Sequence, residues 1–244
     1  MKTTHGIILA AGEGKRLLPF TEQEPKCFVQ IAGVTILENA LNHFALHGVI
    51  RVSIVVGHLK ENIQDKIGKS YRGMTVEYIH NSNFRSTNSM FSLYLALREV
   101  HEPVWVLEGD VFFDDSVLDL KVAGDFAWYA DSSIRDIDGA YLQSGEDGVV
   151  KSLEIIRDLG LLRDGHHKSM GLLHLTAVGA KKMTDWLSAG VQEDKVNLYY
   201  DLIVAEHLRE FKVNLVDVRG NKWFEIDTYD DLQKAQNLFG SHGR

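Results

Sequence analysis

The sequence predicts an α/β fold with a doubly wound, mostly parallel mixed sheet and a small β-rich insertion. In the first half of the chain, apolar strands alternate with amphipathic helices, which is the pattern of β-α-β units. The first strand, His5–Ala10, is apolar almost throughout, as is typical of a strand buried on both faces of a parallel sheet. After Asp110 this alternation gives way to short strands joined by polar turns, which predict the β-rich insertion beside the main sheet.

The elements of the first half follow from local periodicity. A helix is predicted over residues 34–47, where apolar side chains recur at helical spacing. Thr87 or Ser89 is the expected N-cap of a helix that begins near residue 88, because a hydroxyl oxygen there can accept a hydrogen bond from a free backbone N–H group. The remaining strands of this half are predicted at residues 51–56, 74–79 and 104–108. The remaining helices are predicted at residues 60–69 and 88–100.

The second half is predicted to contain more strands than helices. The expected strands are residues 126–130, 140–143, 149–156, 170–175, 213–218 and 223–226. The expected helices are residues 177–187, 200–210 and 228–239. The sequence shows no internal repeat, low-complexity tract or Pro/Ser-rich linker. We therefore expect a single domain over residues 1–244.

The composition argues against several classes of protein. Lys plus Arg number 26 and Asp plus Glu number 34, and the resulting net charge of −8 argues against a nucleic-acid-binding surface, whose affinity depends on clustered basic residues. No apolar run in the sequence is long enough to predict a membrane span. The single cysteine, Cys27, excludes an intramolecular disulfide and fits a reducing compartment, so the expected location is the cytoplasm.

A glycine-rich turn, Leu9-Ala-Ala-Gly-Glu-Gly-Lys-Arg-Leu17, follows the first strand directly. In a doubly wound sheet this turn lies where ligands bind, and its glycines let backbone N–H groups approach phosphate oxygens. Lys15, Arg16 and Lys26 add positive charge, although an ordinary connecting turn is the alternative. The turn is not a dinucleotide fingerprint, since Leu17 stands where a third glycine is needed. It is not a P-loop either, since Arg16 stands where a Ser or Thr is needed.

This turn, together with Pro19, Thr21 and Pro25-Lys26, resembles the signature of the nucleotidyltransferases that make activated sugars and choline. Two later segments, Glu108-Gly-Asp110 and Phe224-Glu-Ile-Asp227, resemble the metal-binding aspartate motifs of that family and occur in the family's order. The resemblance extends over most of the chain. It implies a sheet like that of the nucleotide-diphospho-sugar transferases, and transfer of a nucleotidyl group with Mg²⁺ as cofactor.

The resemblance also implies roles for the residues of the turn. The backbone of Ala10, Ala11 and Gly12 would face the base and ribose. The residues that would hold the β- and γ-phosphates are Gly14, Lys15 and Arg16. Lys26 would reach the α-phosphate or the incoming phosphate, so Arg16 and Lys26 are the predicted catalytic residues. Lys15 departs from the family pattern, which commonly has Ser or Thr at that position.

Asp110 and Asp227 are the predicted ligands of Mg²⁺. Each follows a predicted strand, at the sheet edge where ligands bind in such folds, and carboxylate oxygens are the ligands that Mg²⁺ prefers. Taken alone, Asp227 could equally be a helix cap, and Asp110 a turn residue. Their occurrence together with Arg16 and Lys26 favours a metal site.

The segment after the third predicted strand is Asn81-Ser-Asn-Phe-Arg-Ser-Thr-Asn-Ser-Met-Phe-Ser-Leu93. It resembles the Asn- and Ser-rich segment of bacterial phosphocholine and 2-aminoethylphosphonate cytidylyltransferases. It is less similar to the glycine-rich loop of the sugar-1-phosphate enzymes. That resemblance implies CTP as the nucleotide. The side chains expected beside the cytosine are Asn81, Asn88 and Ser89, with capping of the following helix as the alternative role.

The acceptor pocket is predicted from two further segments. Leu198-Tyr-Tyr-Asp201 resembles an aromatic and acidic motif of the acceptor pocket in this subgroup, which implies roles for Tyr199 and Asp201. Enzymes specific for phosphocholine are expected to carry an aromatic residue where this chain has Arg135-Asp-Ile-Asp-Gly139. We therefore favour 2-aminoethylphosphonate over phosphocholine, with Asp138 or Asp201 as the partner of its ammonium group.

The predicted enzyme is a CTP-dependent cytidylyltransferase that couples a small amino-alcohol phosphate or phosphonate to CMP and releases pyrophosphate. Its expected partners are CTP and that acceptor, with no nucleic acid and no membrane, and a homodimer is one option for its assembly. One alternative is a sugar-1-phosphate nucleotidyltransferase that uses another NTP. The other is a nucleotide-binding regulatory homologue without turnover, against which both predicted metal carboxylates argue, together with Arg16 and Lys26.

Overall fold

The structure is a computed structural model in which residues 3–240 are described. The helices of this part of the chain are α1 (Ile36–Leu46), α2 (Lys60–Ile67), α3 (Ser89–Leu97), α4 (Ala177–Gln192), α5 (Tyr200–Glu206) and α6 (Tyr229–Phe239). Its strands are β1 (His5–Ala10), β2 (Gln30–Ile31), β3 (Val34–Thr35), β4 (Arg51–Val56), β5 (Ser70–Tyr71), β6 (Met74–His80), β7 (Val104–Glu108), β8 (Val111–Phe113), β9 (Phe126–Asp131), β10 (Gly139–Ser144), β11 (Val150–Ile156), β12 (His166–Leu175), β13 (Asn214–Asp217) and β14 (Trp223–Glu225).

Four parallel strands form the centre of the main sheet, in the order β7, β1, β4 and β6. Leu9 of β1 lies opposite Val55 on one side and Glu108 on the other, so the strands end at one edge. The glycine turn after β1 and the Gly109-Asp110 step after β7 both start from that edge. The prediction of an α/β fold with a mixed sheet is confirmed, and its parallel strands form the centre of the sheet.

The β-rich region predicted after Asp110 is continuous with the main sheet. The long strand β12 pairs antiparallel with β7, and it also pairs with β9 and β10. Its register with β9 shifts between Ser169 and Leu172. β13 then adds parallel to β9, so the sheet comprises ten strands within the described residues. This arrangement puts residues of β12 next to the carboxyl end of β7.

Helices cover both faces of this sheet, as the doubly wound prediction requires. One buried cluster contains Leu41 and Phe44 of α1 and Ile63 of α2. A second buried cluster contains Leu93 of α3 and Trp186 of α4, together with residues of α5. Burial of these apolar side chains removes them from water and fixes the helices against the sheet. None of the helices within residues 3–240 combines the length and apolarity that crossing a membrane requires.

Several helix bounds differ from the prediction by a few residues, and the N-cap of α3 is a different residue from the two predicted. The N-cap of α3 is Asn88, whose Oδ1 atom accepts a hydrogen bond from the backbone N–H group of Ser89 at 2.8 Å. Thr87 and Ser89, the predicted caps, have other partners: the Thr87 hydroxyl donates to the carbonyl of Asn83, and the Ser89 hydroxyl accepts from the backbone of Tyr200. Asn caps as well as Ser or Thr, so residue type alone could not separate the three candidates.

Cys27 lies in the core and is expected to be chemically inert. Its side chain is 2 % exposed, and burial raises the pKa of its thiol to about 12. The thiolate is the reactive form of cysteine, and burial suppresses it. In the native protein, a thiol-reactive dye should therefore leave Cys27 unmodified at pH 8, and the same dye should label one thiol per chain in denaturant. Rapid native labelling would contradict this placement.

Candidate active site

A cleft of about 540 Å³ opens at the edge of the sheet where the parallel strands end. The glycine turn lines this cleft, and so do residues of β10, β11 and β12. Every site residue predicted from the sequence lines this cleft. They are Ala10, Ala11, Gly12, Gly14, Lys15, Arg16, Lys26, Asn81, Asn88, Ser89, Asp110, Asp138, Tyr199, Asp201 and Asp227. The fold thus brings them into one place, while the role of each stays a prediction.

Gly14 shapes the turn that carries Arg16, and it lies against Lys26, the other predicted catalytic cation. Its φ of 62° lies in the left-handed region, and a Cβ atom there would be 3.0 Å from the Cβ of Lys26 and from the Cγ2 of Thr21. Glycine is therefore the residue that fits without strain. The carbonyl of Gly14 accepts hydrogen bonds from the Thr21 hydroxyl at 3.0 Å and from the backbone of Leu17 at 2.9 Å. These contacts hold the turn against the segment that carries Lys26.

The small sheet formed by β8 and β14 brings Asp227 to Asp110. The two strands pair antiparallel with Glu225 opposite Val111, and the backbone N–H group of Ile226 donates to the carbonyl of Asp110 at 3.0 Å. The two aspartates, 117 positions apart in the sequence, are thereby neighbours at the floor of the cleft.

The ammonium group of Lys26 lies between these two carboxylates. Its Nζ atom is 2.7 Å from Asp110 Oδ2 and 2.6 Å from Asp227 Oδ1. Arg16 contacts the other oxygen of Asp227, with 2.7 Å between Nη2 and Oδ2. Burial disfavours the charged form of Lys26, but the two carboxylates outweigh this effect and raise its pKa. Lys26 is therefore a cation at neutral pH and not a proton acceptor.

The pKa of Asp227 is shifted in the direction opposite to that of Lys26. Asp227 is also not a helix cap. Burial alone would raise the pKa of its carboxyl group, but Lys26 and Arg16 outweigh that effect and lower it. The N-cap of α6 is Thr228, which forms a capping box with Asp231. The helix is therefore capped by Thr228 and not by Asp227.

The two aspartates fit the magnesium ion that the sequence predicts. Asp110 Oδ1 is buried and has no hydrogen-bond partner within residues 3–240. Hard carboxylate oxygens with free coordination capacity are what Mg²⁺ requires. Because Lys26 contacts an oxygen of each aspartate, a metal ion bound between them must compete with the lysine for the same negative charge.

The predicted nucleotide-binding side chains differ in their burial and in their hydrogen-bond and ion-pair partners. Asn81 is buried, and its amide donates to the hydroxyls of Thr87 and Ser92, while its carbonyl accepts from the backbone of Asn83. Its contacts stabilise the loop that borders the cleft. Lys15 is 74 % exposed and pairs with Glu13 at 2.8 Å, so it lies at the mouth of the cleft.

The part of the cleft lined by Glu108, Asp138, Asp201 and Glu225 is acidic. Asp138 is exposed and pairs with Arg157 at 2.6 Å, whereas Asp201 is buried. Burial and the nearby Glu225 raise the pKa of Asp201 to about 7, against the opposing effect of Lys168. Burial, together with the surrounding carboxylates, also raises the pKa of Glu225 and that of Glu108. Several acids therefore share a small volume in this part of the cleft.

Sequence reasoning missed Glu108, Glu225 and Lys168, which all line the cleft. A signal for the two glutamates was present, since each precedes a predicted metal aspartate by two residues. Side chains at positions i and i+2 of an extended chain point to the same side, so both glutamates were candidates for the same cleft. Lys168 had no such signal, because only the pairing of β12 with its neighbours places it there.

The comparison with known families agrees with this geometry. The family model described as nucleotidyl transferase matches residues 5–134, which is more than half of the chain. The chain belongs to this family. The predicted resemblance is thus confirmed, as is the prediction that this nucleotidyltransferase is an enzyme.

Three curated relatives of this nucleotidyltransferase match at least 94 % of the chain. CMP-5'-(3-aminopropyl)phosphonate synthase of Streptomyces rubellomurinus is 29 % identical, and the match covers 96 % of this chain but 38 % of the relative. Choline-phosphate cytidylyltransferase of Streptococcus pneumoniae is 27 % identical, with 95 % of this chain and 96 % of the relative covered. 2-Aminoethylphosphonate cytidylyltransferase of Lancefieldella rimae is 25 % identical, with 94 % and 90 % covered. These relatives therefore agree with the predicted subgroup, that of the phosphocholine and 2-aminoethylphosphonate cytidylyltransferases.

Solved structures show the same fold. The CTP:phosphocholine cytidylyltransferase of Streptococcus pneumoniae superposes with a TM-score of 0.77 at 24 % identity, covering 96 % of this chain and 98 % of that chain. The inositol-1-phosphate CTP transferase of T. maritima superposes with a TM-score of 0.78 at 18 % identity, covering 100 % and 99 %.

Replacing Lys26 by Ala is expected to separate two effects of this residue. Turnover should fall on the order of 10²-fold or more, because a preorganised charge beside the reacting phosphate is lost. Affinity for Mn²⁺, used as a paramagnetic substitute for Mg²⁺, should rise, because the competing ammonium group is gone. Electron paramagnetic resonance measures free Mn²⁺ directly, and the exposed Lys69 replaced by Ala is the matched control. Weaker Mn²⁺ binding by Lys26→Ala would contradict the competition.

Asp227→Asn is expected to abolish most activity without unfolding the protein. The metal supplies several kcal/mol of charge stabilisation in such reactions, so loss of one ligand should lower turnover on the order of 10²-fold. The helix start should persist, since its cap is Thr228. Steady-state rates and thermal unfolding by circular dichroism check both statements. Near-wild-type turnover would show that Asp227 is no ligand, and Asp110→Asn should behave in the same way as Asp227→Asn.

Proposed function

We propose that the protein is a CTP-dependent cytidylyltransferase that couples a small amino-alcohol phosphate or phosphonate to CMP and releases pyrophosphate. One observation carries the proposal. Asp110 and Asp227 meet around Lys26 at the floor of a cleft whose wall is the glycine turn, and Arg16 projects from that turn. This set combines carboxylates for a metal ion with cations for phosphates, which is what transfer between two anions requires.

The proposed reaction is a direct displacement at phosphorus. An oxygen of the acceptor phosphate or phosphonate attacks the α-phosphorus of CTP and forms a new P–O bond. The bond from the α-phosphorus to the bridging oxygen breaks, and its electron pair leaves with pyrophosphate. The acceptor oxygen is already anionic at neutral pH, so the step needs no general base.

The residues of the cleft then act by position and charge. Lys26 remains protonated because Asp110 and Asp227 raise its pKa, so it neutralises the charge that develops around the α-phosphorus. Arg16 lies on the turn beside the β- and γ-phosphates in this arrangement. Cys27 follows Lys26 directly, but its buried thiol is unsuited to nucleophilic attack. No covalent enzyme intermediate is therefore part of the proposal.

Mg²⁺ is the proposed cofactor, with Asp110 and Asp227 as its ligands. When bound, it would neutralise phosphate oxygens and help to align the acceptor with the leaving group. The unpaired Oδ1 atom of Asp110 supports this assignment.

CTP is the proposed nucleotide, and the main support for it comes from two relatives that are themselves named cytidylyltransferases. Both are covered over at least 90 % of their length. The cleft is lined by the backbone of Ala10, Ala11 and Gly12 and also by Asn88 and Ser89. We propose that these groups discriminate cytosine through hydrogen bonds, since a mismatched base leaves buried polar groups unpaired.

We also propose that residues 1–244 form one catalytic domain. The two halves of the chain contribute to one continuous sheet, and the cleft takes side chains from both. The acceptor end, with Tyr199 and Asp201, comes from the second half.

A panel of nucleotides and acceptors scored by pyrophosphate release tests this function. CTP, UTP, dTTP and ATP would each be combined with 2-aminoethylphosphonate, phosphocholine and glucose 1-phosphate in the presence of Mg²⁺. We expect turnover with CTP and an amino-alcohol phosphate or phosphonate, and a kcat/KM for UTP lower by at least about tenfold. Equal rates with UTP would overturn the nucleotide assignment. Preferential use of glucose 1-phosphate would identify a sugar-1-phosphate enzyme.

A further inference from the structure

The segment that carries both predicted catalytic cations has little regular structure of its own. Between the end of β1 at Ala10 and the start of β2 at Gln30, the chain forms three single-turn 3₁₀ helices joined by loops. Such a segment makes few backbone hydrogen bonds within itself, so its geometry depends on contacts with its surroundings. The positions of Arg16 and Lys26 therefore depend on what holds residues 11–29 from outside.

Thr21 is a buried residue at the centre of this segment. It is 1 % exposed, and its hydroxyl donates to the carbonyl of Gly14 at 3.0 Å. A Cβ atom at Gly14 would lie 3.0 Å from Thr21 Cγ2 and 3.0 Å from Lys26 Cβ, so Gly14 lies against both side chains. A shift of Thr21 would therefore displace the turn that carries Arg16 and loosen its packing against Lys26.

The side chain of His58, two residues after β4, holds Thr21 in place. Its Nε2 atom lies 2.9 Å from the carbonyl oxygen of Thr21, and Nε2 is the donor because a carbonyl oxygen only accepts. The centroid of its ring is 6.2 Å from that of Phe84, which lines the cleft. From α2, the amide of Asn62 donates to the carbonyl of Gln23 at 2.9 Å and holds the same segment at a second point.

The backbone of His58 holds the start of the glycine turn. Its N–H group donates to the carbonyl of Ala11 at 3.1 Å. This close approach requires glycine at the preceding position, because a Cβ atom at Gly57 would lie 2.6 Å from the carbonyl oxygen of Ala11. The following residue, Leu59, has a φ of 48°, which is unfavourable for a side chain with a Cβ atom. Such a conformation persists only where the surrounding structure fixes it, so the loop after β4 has one defined geometry.

We propose that His58 is a positioning residue, which holds the glycine turn through its backbone at Ala11 and through its ring at Thr21. We call these two contacts the His58 clamp. The inference rests on the proposed function for its effect on catalysis. Gly14 and Arg16 lie between the two contacts in sequence, so the turn is held at both of its ends. A turn held in this way keeps its N–H groups and its cation in place before the nucleotide binds.

Two substitutions of His58 separate its hydrogen bond from its bulk. His58→Phe keeps a planar ring beside Phe84 but has no N–H group for Thr21, whereas the amide of His58→Gln can still donate there. With 2-aminoethylphosphonate as acceptor, His58→Phe should lower kcat/KM for CTP about five- to tenfold, the size expected for one lost hydrogen bond. The KM for 2-aminoethylphosphonate should not change, and His58→Gln should stay close to the wild type.

Hydrogen exchange measured by mass spectrometry tests the His58 clamp without any substrate. The amides of residues 9–18 should exchange faster in His58→Phe than in the wild type, and His58→Gln should restore their protection. If His58→Phe does not fold by circular dichroism, His58→Asn replaces it, because its amide nitrogen occupies the position of Nδ1 and does not reach Thr21. His101→Phe, the same change at an exposed histidine before β7, is the matched control and should leave the exchange and both kinetic constants unchanged.

Three outcomes would overturn the proposal. The first is unchanged exchange of residues 9–18 in His58→Phe. The second is faster exchange throughout the protein with an unchanged KM for CTP, which would give His58 a role in stability alone. The third is faster exchange of the turn with an unchanged kcat/KM for CTP. A wild type that uses no CTP, but whose turn exchanges faster in His58→Phe and is protected again in His58→Gln, would refute the proposed function and support the His58 clamp.

Discussion

The contact between Lys26 and the carboxylates of Asp110 and Asp227 joins three parts of the chain that are far apart in sequence. The lysine follows the glycine turn, one aspartate follows the central strand β7, and the other follows β14 near the last helix. Partly buried charges are tolerated when they are paired. The first element, the centre of the sheet and the C-terminal segment therefore depend on one another at this point.

This dependence explains why the site is built from strand ends. The parallel strands β1 and β7 end side by side, which places the turn and Asp110 at one edge. The antiparallel pair β8 and β14 then returns the chain to the same edge, with a backbone hydrogen bond from Ile226 to Asp110. Side chains on paired strands have little freedom, so the charges are held in place before a substrate arrives. Such preorganisation is the main source of electrostatic catalysis.

The two ends of the cleft differ in charge. Arg16 and Lys26 stand at the end formed by the glycine turn, where a triphosphate would bind. At the other end, carboxylates outnumber lysines. A nucleotide with its negative charges and an acceptor with an ammonium group would each find the complementary end. In the proposed reaction, the polarity of the cleft would orient both substrates relative to Asp110 and Asp227, the proposed metal ligands.

Local patterns in the sequence determined the strands and helices around the site. Apolar runs and helical spacing located β1, β4 and β7 and the helices between them, because those patterns reflect burial on the faces of a sheet. The glycine turn with Arg16 and Lys26, and the aspartates Asp110 and Asp227, were recognisable because their residue types and spacing carry chemistry. Short pieces such as β2, β3 and β8 had no periodicity to reveal them.

Only the tertiary structure decided which charges meet. Three pairings depend on which strands are neighbours. Lys26 bridges both aspartates, Asp138 pairs with Arg157, and Lys168 lies against Glu225. The cap of α3 at Asn88 was likewise undecided among three suitable residues. The sequence determined which side chains were available for the site. Their pairing was decided by the sheet, because contacts between distant segments arise from strand order and register, which local sequence does not encode.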